Sequence, residues 1–311
     1  MEPEKTPSQP SLLIDPSQLP PEHRSGYVAI VGKPNVGKST LMNALLGHKL
    51  SIVTPKPQTT RHRVLGILSG DTYQIVFLDT PGVLKKARYK LHEHMLRTVD
   101  RAVADADLVL FMAEATQKAP DTISLGHLGN RPAILALNKM DLVRNQEQVL
   151  PLVDAYMKQY PFEAVVPISA LTGYNLDVLL KELIHRLPPG PPFYPKDQLS
   201  EHPERFFVAE IIREKIFEQF REEIPYAAQV NIVDYKERPE GKDFIDAEII
   251  VERPTQKAIL IGKGGQALKR LGTAARQEIE AFLGRPVYLQ LHVKVREDWR
   301  NRDRLLRSYG Y

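Results

Sequence analysis

The sequence predicts an α/β domain with a doubly wound, mostly parallel sheet, followed by a smaller α+β domain. Three observations carry that expectation. From Gly26 to Leu187, short apolar runs alternate with helical patterns, as a sheet covered by helices on both faces requires. Six prolines then fall between Leu187 and Pro203, a density that ends helices and stiffens the chain. Beyond Phe206 the order becomes α-β-β-α-α-β, which gives a three-stranded α+β unit. The expected division is a leader (residues 1–24), the α/β domain (25–187), a linker (188–205) and the α+β domain with its basic tail (206–311). A length of 311 residues suits two domains.

The leader, "MEPEKTPSQPSLLIDPSQLPPEHRSG", is acidic and rich in Pro and Ser. It reads as a disordered segment, with no basic start and apolar core of a signal peptide. Strands are predicted at "YVAIVG", "RVLGILSG", "YQIVFLDT", "LVLFMAE", "AILALNK" and "EAVVPISA", most of them unbroken apolar runs. Between them "STLMNALLG", "LHEHMLRTVDRAVADA" and "NLDVLLKELIHRL" carry helical spacing. In the second domain the helix "FVAEIIREKIFEQF" leads to the alternating strands "AAQVNIVDYKE" and "FIDAEIIVER". A helix–glycine turn–helix, "TQKAILIGKGGQALKRLGTAARQEIEAFLG", and the strand "PVYLQLHVKV" complete it.

Composition excludes several classes of function. With 42% hydrophobic and 26% charged residues the chain is that of a soluble globular protein, and no run of eighteen apolar residues predicts a membrane span. The absence of cysteine removes disulfides, thiolate metal sites and cysteine nucleophiles, and fits the cytosol. The nine histidines form no metal-ligand cluster, and His92 and His94 face different ways on a helical pattern. The net charge of +4 decides little, but from Arg253 onward 13 Lys/Arg stand against 5 Asp/Glu. That excess suits a polyanion, although a solvated basic surface has the same composition. Trp299, near the end, is expected to pack against its own domain rather than to stack on a base.

The stretch "GKPNVGKST" matches the full phosphate-loop pattern between a strand and a helix. Its residues Gly32, Lys33, Pro34, Asn35, Val36, Gly37, Lys38, Ser39 and Thr40 are the expected phosphate cradle. Glycines let successive N–H groups turn toward phosphate oxygens, Lys38 supplies a positive charge to the β/γ-phosphates, and the Ser39 hydroxyl is a ligand for Mg²⁺. The helix beginning there adds its positive dipole end. At the ends of later strands come "DTPG" with Asp79 and Gly82, "NKMD" with Asn138, Lys139 and Asp141, and "SAL" with Ser169, Ala170 and Leu171. Asp79 is placed to hold Mg²⁺ through water, and the Gly82 N–H to meet the γ-phosphate. The Asp141 carboxylate accepts from N1–H and the 2-amino group of guanine, a donor pair that adenine lacks. The Ala170 N–H is placed for guanine O6. Four motifs in this order, each at a strand end, imply a GTP-binding domain.

Between the first two motifs, "TPKPQTTRHRVLG" occupies the place of a mobile switch segment. Thr60 is favoured over Thr59 as a further Mg²⁺ ligand, so that the metal set is Ser39, Thr60 and Asp79. A glutamine after the DxxG glycine orients water in many small GTPases, and Val83 stands there instead. The expected catalytic set is therefore Asn35, Lys38, Thr60 and Gly82. For Asn35 two readings stay open: it helps hold K⁺ beside the β/γ-phosphates, or it only stabilises the loop.

"IGKGGQALKR" contains a GxxG turn between two helices, and no acidic residue occurs from Pro254 to Gln277. In the α-β-β-α-α-β frame this is the type II KH design, whose GxxG backbone clamps about four single-stranded nucleotides. Ile261, Gly262, Lys263, Gly264, Gly265, Lys269 and Arg270 are the expected RNA contacts.

Together "GKPNVGKST", "PQTTRHR", "DTPG", "NKMD", the proline-rich linker, "ERFFVAEIIREKIF" and "IGKGG" make a chain that resembles the Era family of GTPases from about Ser25 to its end. The resemblance implies a GTP/GDP cycle with Mg²⁺, binding of the 3′ end of 16S rRNA in the GTP form, and assistance to 30S subunit maturation. It also supports the cation role of Asn35, and implies a cytoplasmic protein, in some members loosely associated with the inner membrane. A monomer is expected. The alternative from another class is a GTP-sensing RNA scaffold in which hydrolysis is incidental, a reading that Val83 keeps open.

Overall fold

The computed structural model describes residues 22–311. Most of the expected leader lies outside the described residues. Its last residue, Arg24, already belongs to the first strand, because its N–H donates to Thr72 O at 3.0 Å.

In chain order the first domain comprises β1 (Arg24–Gly32), α1 (Lys38–Leu46), β2 (Val64–Ser69), β3 (Tyr73–Asp79), α2 (Lys90–Asp105) and β4 (Leu108–Glu114). It continues with α3 (Thr122–Leu125), β5 (Ala133–Asn138), α4 (Leu150–Gln159), β6 (Ala164–Pro167) and α5 (Leu176–Arg186). The sheet order is β2-β3-β1-β4-β5-β6, with β2 alone antiparallel to its neighbour. Unbroken apolar strands such as Leu108–Met112 bury both faces, one packed by α2 and the other by α1 and α5. Since β1 lies between β3 and β4, successive crossovers leave it in opposite directions. That switch point opens a crevice at the carboxyl ends of the strands, where the sequence motifs lie.

The second domain comprises α6 (Glu204–Gln219), α7 (Ile224–Ala227), β7 (Gln229–Lys236), β8 (Asp243–Val251), α8 (Pro254–Ile261), α9 (Gln266–Leu283), β9 (Val287–Val295) and α10 (Asp303–Ser308). Its sheet has the order β7-β8-β9, antiparallel then parallel. Ile245, Ala247 and Ile249 alternate inward on β8 and meet Leu260, Leu271, Ala275 and Ile279 from the helices.

The linker departs from the stiff spacer expected of its prolines. Its backbone is tied to the first sheet. The Gln74 side chain accepts from the N–H groups of Phe193 and Tyr194, and the Ile67 N–H donates to Leu199 O at 2.8 Å. Leu199 and Ser200 thereby cover part of the edge strand β2, at Ile67 and Leu65. Trp299 packs, as expected, but between both domains. It is fully buried with Leu91 and Met95 of α2, Ile250 and Leu306, and its indole N–H donates to Ala227 O at 2.8 Å.

Candidate nucleotide site and RNA groove

The phosphate loop leaves β1 at Gly32 and enters α1 at Lys38. Gly37 adopts φ +100°, and a Cβ there would lie 2.3 Å from the Asn138 side chain. Only glycine lets the loop pass so close. The Asn138 amide in turn donates to Val36 O at 2.7 Å and accepts from the Ala170 N–H at 2.8 Å. Asn138 thus braces the loop against the "SAL" turn. It also occupies the Ala170 N–H that the sequence assigned to guanine O6, so in this state that donor is not free.

Lys38 is buried, and its ammonium donates to Gly32 O at 3.1 Å and Lys33 O at 2.9 Å. Burial pulls its pKa down to about 8, against the opposing pull of Asp79 and Asp121. A phosphate in the loop would add to the pull of these carboxylates and offset the cost of burying the ammonium. Lys33 leans toward Asp121 at 3.7 Å, Pro34 and Thr40 line the cleft, and Gly82 packs on Pro34 so closely that a Cβ would meet its backbone at 2.6 Å. The cleft over the loop has a volume of about 300 Å³.

The metal set converges. Ser39 Oγ donates to Asp79 Oδ2 at 2.6 Å and lies 3.0 Å from Thr60 Oγ1. Asp79 Oδ1 is buried with no partner, and burial raises the carboxyl's pKa against the pull of Lys38 and the Ser39 hydrogen bond. Two hydroxyls beside a buried carboxylate with one unpartnered oxygen make three hard oxygen donors, which fit Mg²⁺. The Thr59 hydroxyl is consumed by Thr54 and Lys56 O, each at 2.8 Å, which leaves Thr60 as the threonine at the cluster.

At the base end, Asp141 is exposed and its Oδ1 accepts from Ser169 Oγ at 2.6 Å, which fixes the carboxylate's orientation. Lys139 pairs with Glu114, and Leu171 stands 79% exposed beside the opening. Val83 is buried in the core, so the position after Gly82 offers no polar side chain.

In the second domain the GxxG turn, Gly262–Gly265, projects from the end of α8. Gly262, Gly264 and Gly265 all have positive φ, and Lys263 and Gly264 are exposed. Ile261 is half-buried against the domain core. A groove of about 600 Å³ runs from Gly265 between α9 and β9, with apolar Leu268, Leu289 and Leu291 and basic Lys269. Arg270 instead lines an adjoining depression on α9 with Gln266 and Gln277, which shares Lys269 and Thr273 with the groove. Sequence reasoning missed Lys242, Arg276 and Tyr288, which also line the groove. Two of these were legible only as members of the general basic excess or of a strand.

A family model described as a 50S ribosome-binding GTPase matches residues 27–139, and one described as a KH domain matches residues 223–300. "GTPase ERA1, chloroplastic" of Zea mays is 52% identical over 295 residues, covering 93% of this chain and 71% of its own length. The chain belongs to the Era family. The Arabidopsis thaliana "GTPase ERA-like, chloroplastic" is 50% identical over 93% of the chain and 69% of its own length. Two solved Era structures, each 45% identical, cover 93% of this chain and 99% of their own. They are a point variant of Aquifex aeolicus Era bound to GDP·AlF4⁻, with a TM-score of 0.88, and Era with MgGDPNP and nucleotides 1506–1542 of 16S ribosomal RNA, with a TM-score of 0.89. As an Era-family GTPase the chain joins a guanine-nucleotide domain to a KH domain.

The segment between α1 and β2, where the sequence places a switch, is bonded to both domains. Arg61, buried, donates to Ala228 O at 2.8 Å, Pro225 O at 3.0 Å and Tyr226 O at 2.9 Å. Lys49 pairs with Glu214 at 2.6 Å and with Glu278 of α9, and the Val53 N–H donates to Glu214 at 3.0 Å. Lys56 donates to Phe220 O at 2.5 Å at the end of α6, and His62 stacks on Tyr311 with centroids 4.2 Å apart. The sequence quoted Arg61 in a motif but gave no signal of these partners, which lie over 160 residues away.

Proposed function

We propose that this chain is a GTP-hydrolysing switch that binds the 3′ end of 16S rRNA in its KH groove and assists biogenesis of the 30S subunit. The observation that carries the reading is the double attachment of the switch segment. Thr60 stands at the Ser39–Asp79 cluster, and the next residue, Arg61, is held by three main-chain carbonyls of the KH domain.

Main-chain amides of the phosphate loop and Lys38 hold the triphosphate, while Asp141 selects guanine. Ser39 and Thr60, with Asp79 through water, would hold Mg²⁺, which would supply positive charge against the β/γ-phosphate oxygens. Thr60 is released when the γ-phosphate leaves, and Arg61 transmits that release to α7 and the KH core. The route we infer is thus the switch segment, with the linker as a strap rather than a lever. For Asn35 the K⁺ reading draws on its Nδ2 donating to Pro55 O at 2.9 Å, which leaves its side-chain oxygen as an acceptor beside the switch backbone. The same bond fits simple bracing of the loop. Equal turnover in Na⁺ and K⁺, unchanged by Asn35→Ala, removes the cation role. We infer a monomer that works in the cytoplasm, where a bacterium builds its small subunit; the plant relatives are named as chloroplastic.

A second reading, an RNA scaffold with incidental hydrolysis, draws on Val83, whose burial leaves no side chain to orient water. One experiment tests both. RNA affinity is measured with GTP analogue, GDP and no nucleotide on a pyrimidine-rich strand from the small-subunit rRNA 3′ end, and GTP turnover with and without that strand. The switch predicts tighter binding with the GTP analogue and faster turnover with RNA. Indifference to nucleotide leaves two independent modules.

A further inference from the structure

A cleft of about 720 Å³ lies between the domains and belongs to neither site described above. Its walls are the segment 48–52 that follows α1, residues 197–204 of the linker and the start of α6, and the facing parts of α6 and α9. The lining is largely apolar, with Leu50, Ile52, Leu199, Phe207 and Phe282, and the two rings stand 5.4 Å apart. Its charge is one-sided. Four carboxylates line it, Asp197, Glu204, Glu210 and Glu278, against a single lysine, Lys49. Lys49 is itself held by Glu214 and Glu278. Further cations that pair with these carboxylates, Arg285 with Glu204, Arg213 with Glu210 and Lys215 with Glu278, stand outside the lining. Asp197 is exposed, and no ion pair among the described residues takes it. An ionised carboxylate paired once keeps lone pairs for further donors. Such a lining repels phosphate, so neither GTP nor RNA belongs in it.

We propose that this cleft is a binding site for a small amphipathic amine, its apolar body against Phe207 and Phe282 and its ammonium taken by the lining carboxylates. The size, the position at a domain interface and the apolar lining with a few polar groups are those of a small-molecule site. A polyamine fits less well, having no apolar body to cover Leu50, Leu199 and the two rings. The site is coupled to the nucleotide through Ile52, which lines the nucleotide cleft as well. Thr60 here stands at the Ser39–Asp79 cluster, the arrangement assigned to the γ-phosphate state. An occupant that bridges the segment 48–52 to α6 and α9 therefore favours that state. The coupling rests on the switch reading above, whereas the site stands on its own lining.

The test is calorimetry on the full chain with GDP bound, using probes that share a body or a charge: tryptamine, the neutral tryptophol, the anion indolepropionate, and spermidine. Tryptamine is expected to bind with a Kd below about 1 mM, tryptophol and spermidine at least about tenfold more weakly, and indolepropionate not at all. Ala281 is exposed on α9 and lines the cleft. Ala281→Phe fills that space and is expected to weaken tryptamine at least about tenfold, with melting temperature and GDP affinity unchanged. Asp197→Lys, at an exposed position, is expected to weaken it about threefold and keeps the test valid if the added ring disturbs packing. Anisotropy with a labelled single-stranded RNA and GDP reads the coupling. Saturating tryptamine should raise RNA affinity at least about fivefold in the wild type and leave Ala281→Phe unchanged, which excludes an action on the RNA itself. Equal affinity for tryptamine and spermidine, or for tryptamine and indolepropionate, overturns the proposal, as does tryptamine binding that both variants keep. If tryptamine binds as expected while RNA affinity stays constant, the site stands and the switch reading falls.

Discussion

Thr60 and Arg61 are adjacent in the chain yet bond to different domains. The Thr60 hydroxyl lies 3.0 Å from Ser39 Oγ, and the Arg61 guanidinium is buried against the carbonyls of Pro225, Tyr226 and Ala228. Replacing Arg61 by Ala leaves three buried acceptors unpaired, at about 1–3 kcal/mol for each that water does not reach. The expected result is a loss of about 2–4 kcal/mol in stability. GTP affinity should hold within about threefold, because Arg61 does not line the nucleotide cleft. The ratio of RNA affinities with GTP analogue and GDP should fall to about one. Calorimetry and anisotropy on one preparation read all three quantities.

Asp79 presents a different balance. Without a cation its buried Oδ1 has no partner, and burial raises its pKa. Asp79→Asn keeps the shape and removes the charge. In EDTA and without nucleotide, the variant should melt no lower than the wild type, and higher by about 2–4 °C if roughly 1 kcal/mol of desolvation cost is relieved. With Mg²⁺ and GTP the order should reverse, and nucleotide affinity should fall at least about tenfold. A variant that melts lower in EDTA would mean that the carboxylate is structural.

The contrast between these two residues marks how far the sequence could be read. Asp79 was legible because a local motif, a strand end and a known chemistry coincide within four residues. Every strand of both sheets was legible for the same kind of reason, since alternation or continuous apolar runs declare burial. The helix α4 was not among the predicted elements; its Pro151 stands in the first turn, where proline is tolerated. The linker was misread as a spacer because proline count reports stiffness and says nothing of Gln74 waiting on β3 to bind it. The role of Arg61 was illegible altogether. A buried arginine is defined by carbonyls brought to it by tertiary structure, and carbonyls leave no trace in a sequence.

Asp141 carries the specificity prediction. Its carboxylate is exposed toward the base end and fixed by Ser169 Oγ at 2.6 Å. Asp141→Asn replaces one acceptor by a donor, which then opposes the guanine 2-amino group. GTP affinity should fall by about 2–4 kcal/mol, some 30- to 1000-fold. Xanthosine triphosphate carries an oxygen at position 2 and should bind the variant better than the wild type. Competition against labelled GDP measures both, and an unchanged GTP affinity would remove Asp141 from the base site.

His62 gives the interface a pH dependence. Burial pushes its pKa down to about 4, reinforced by Arg213, Arg61 and His202 and opposed by Glu210. In the unfolded chain it titrates near 6.5. Between those values the unfolded state binds the extra proton, so stability must fall as pH drops from about 6.5 toward 4, and be unaffected by this group above that window. His92, also near 4 through burial and the charges of Arg61, Arg300 and Arg88, acts in the same direction on the α2 side. The full His62 shift corresponds to about 3 kcal/mol, and its partial exposure reduces this to about 1–2 kcal/mol. His62→Phe keeps a ring against Tyr311, 4.2 Å away in the wild type, and cannot be protonated. Between pH 7.5 and pH 5 the variant should therefore lose about 3–6 °C less in melting temperature than the wild type. Equal losses would place the acid sensitivity elsewhere.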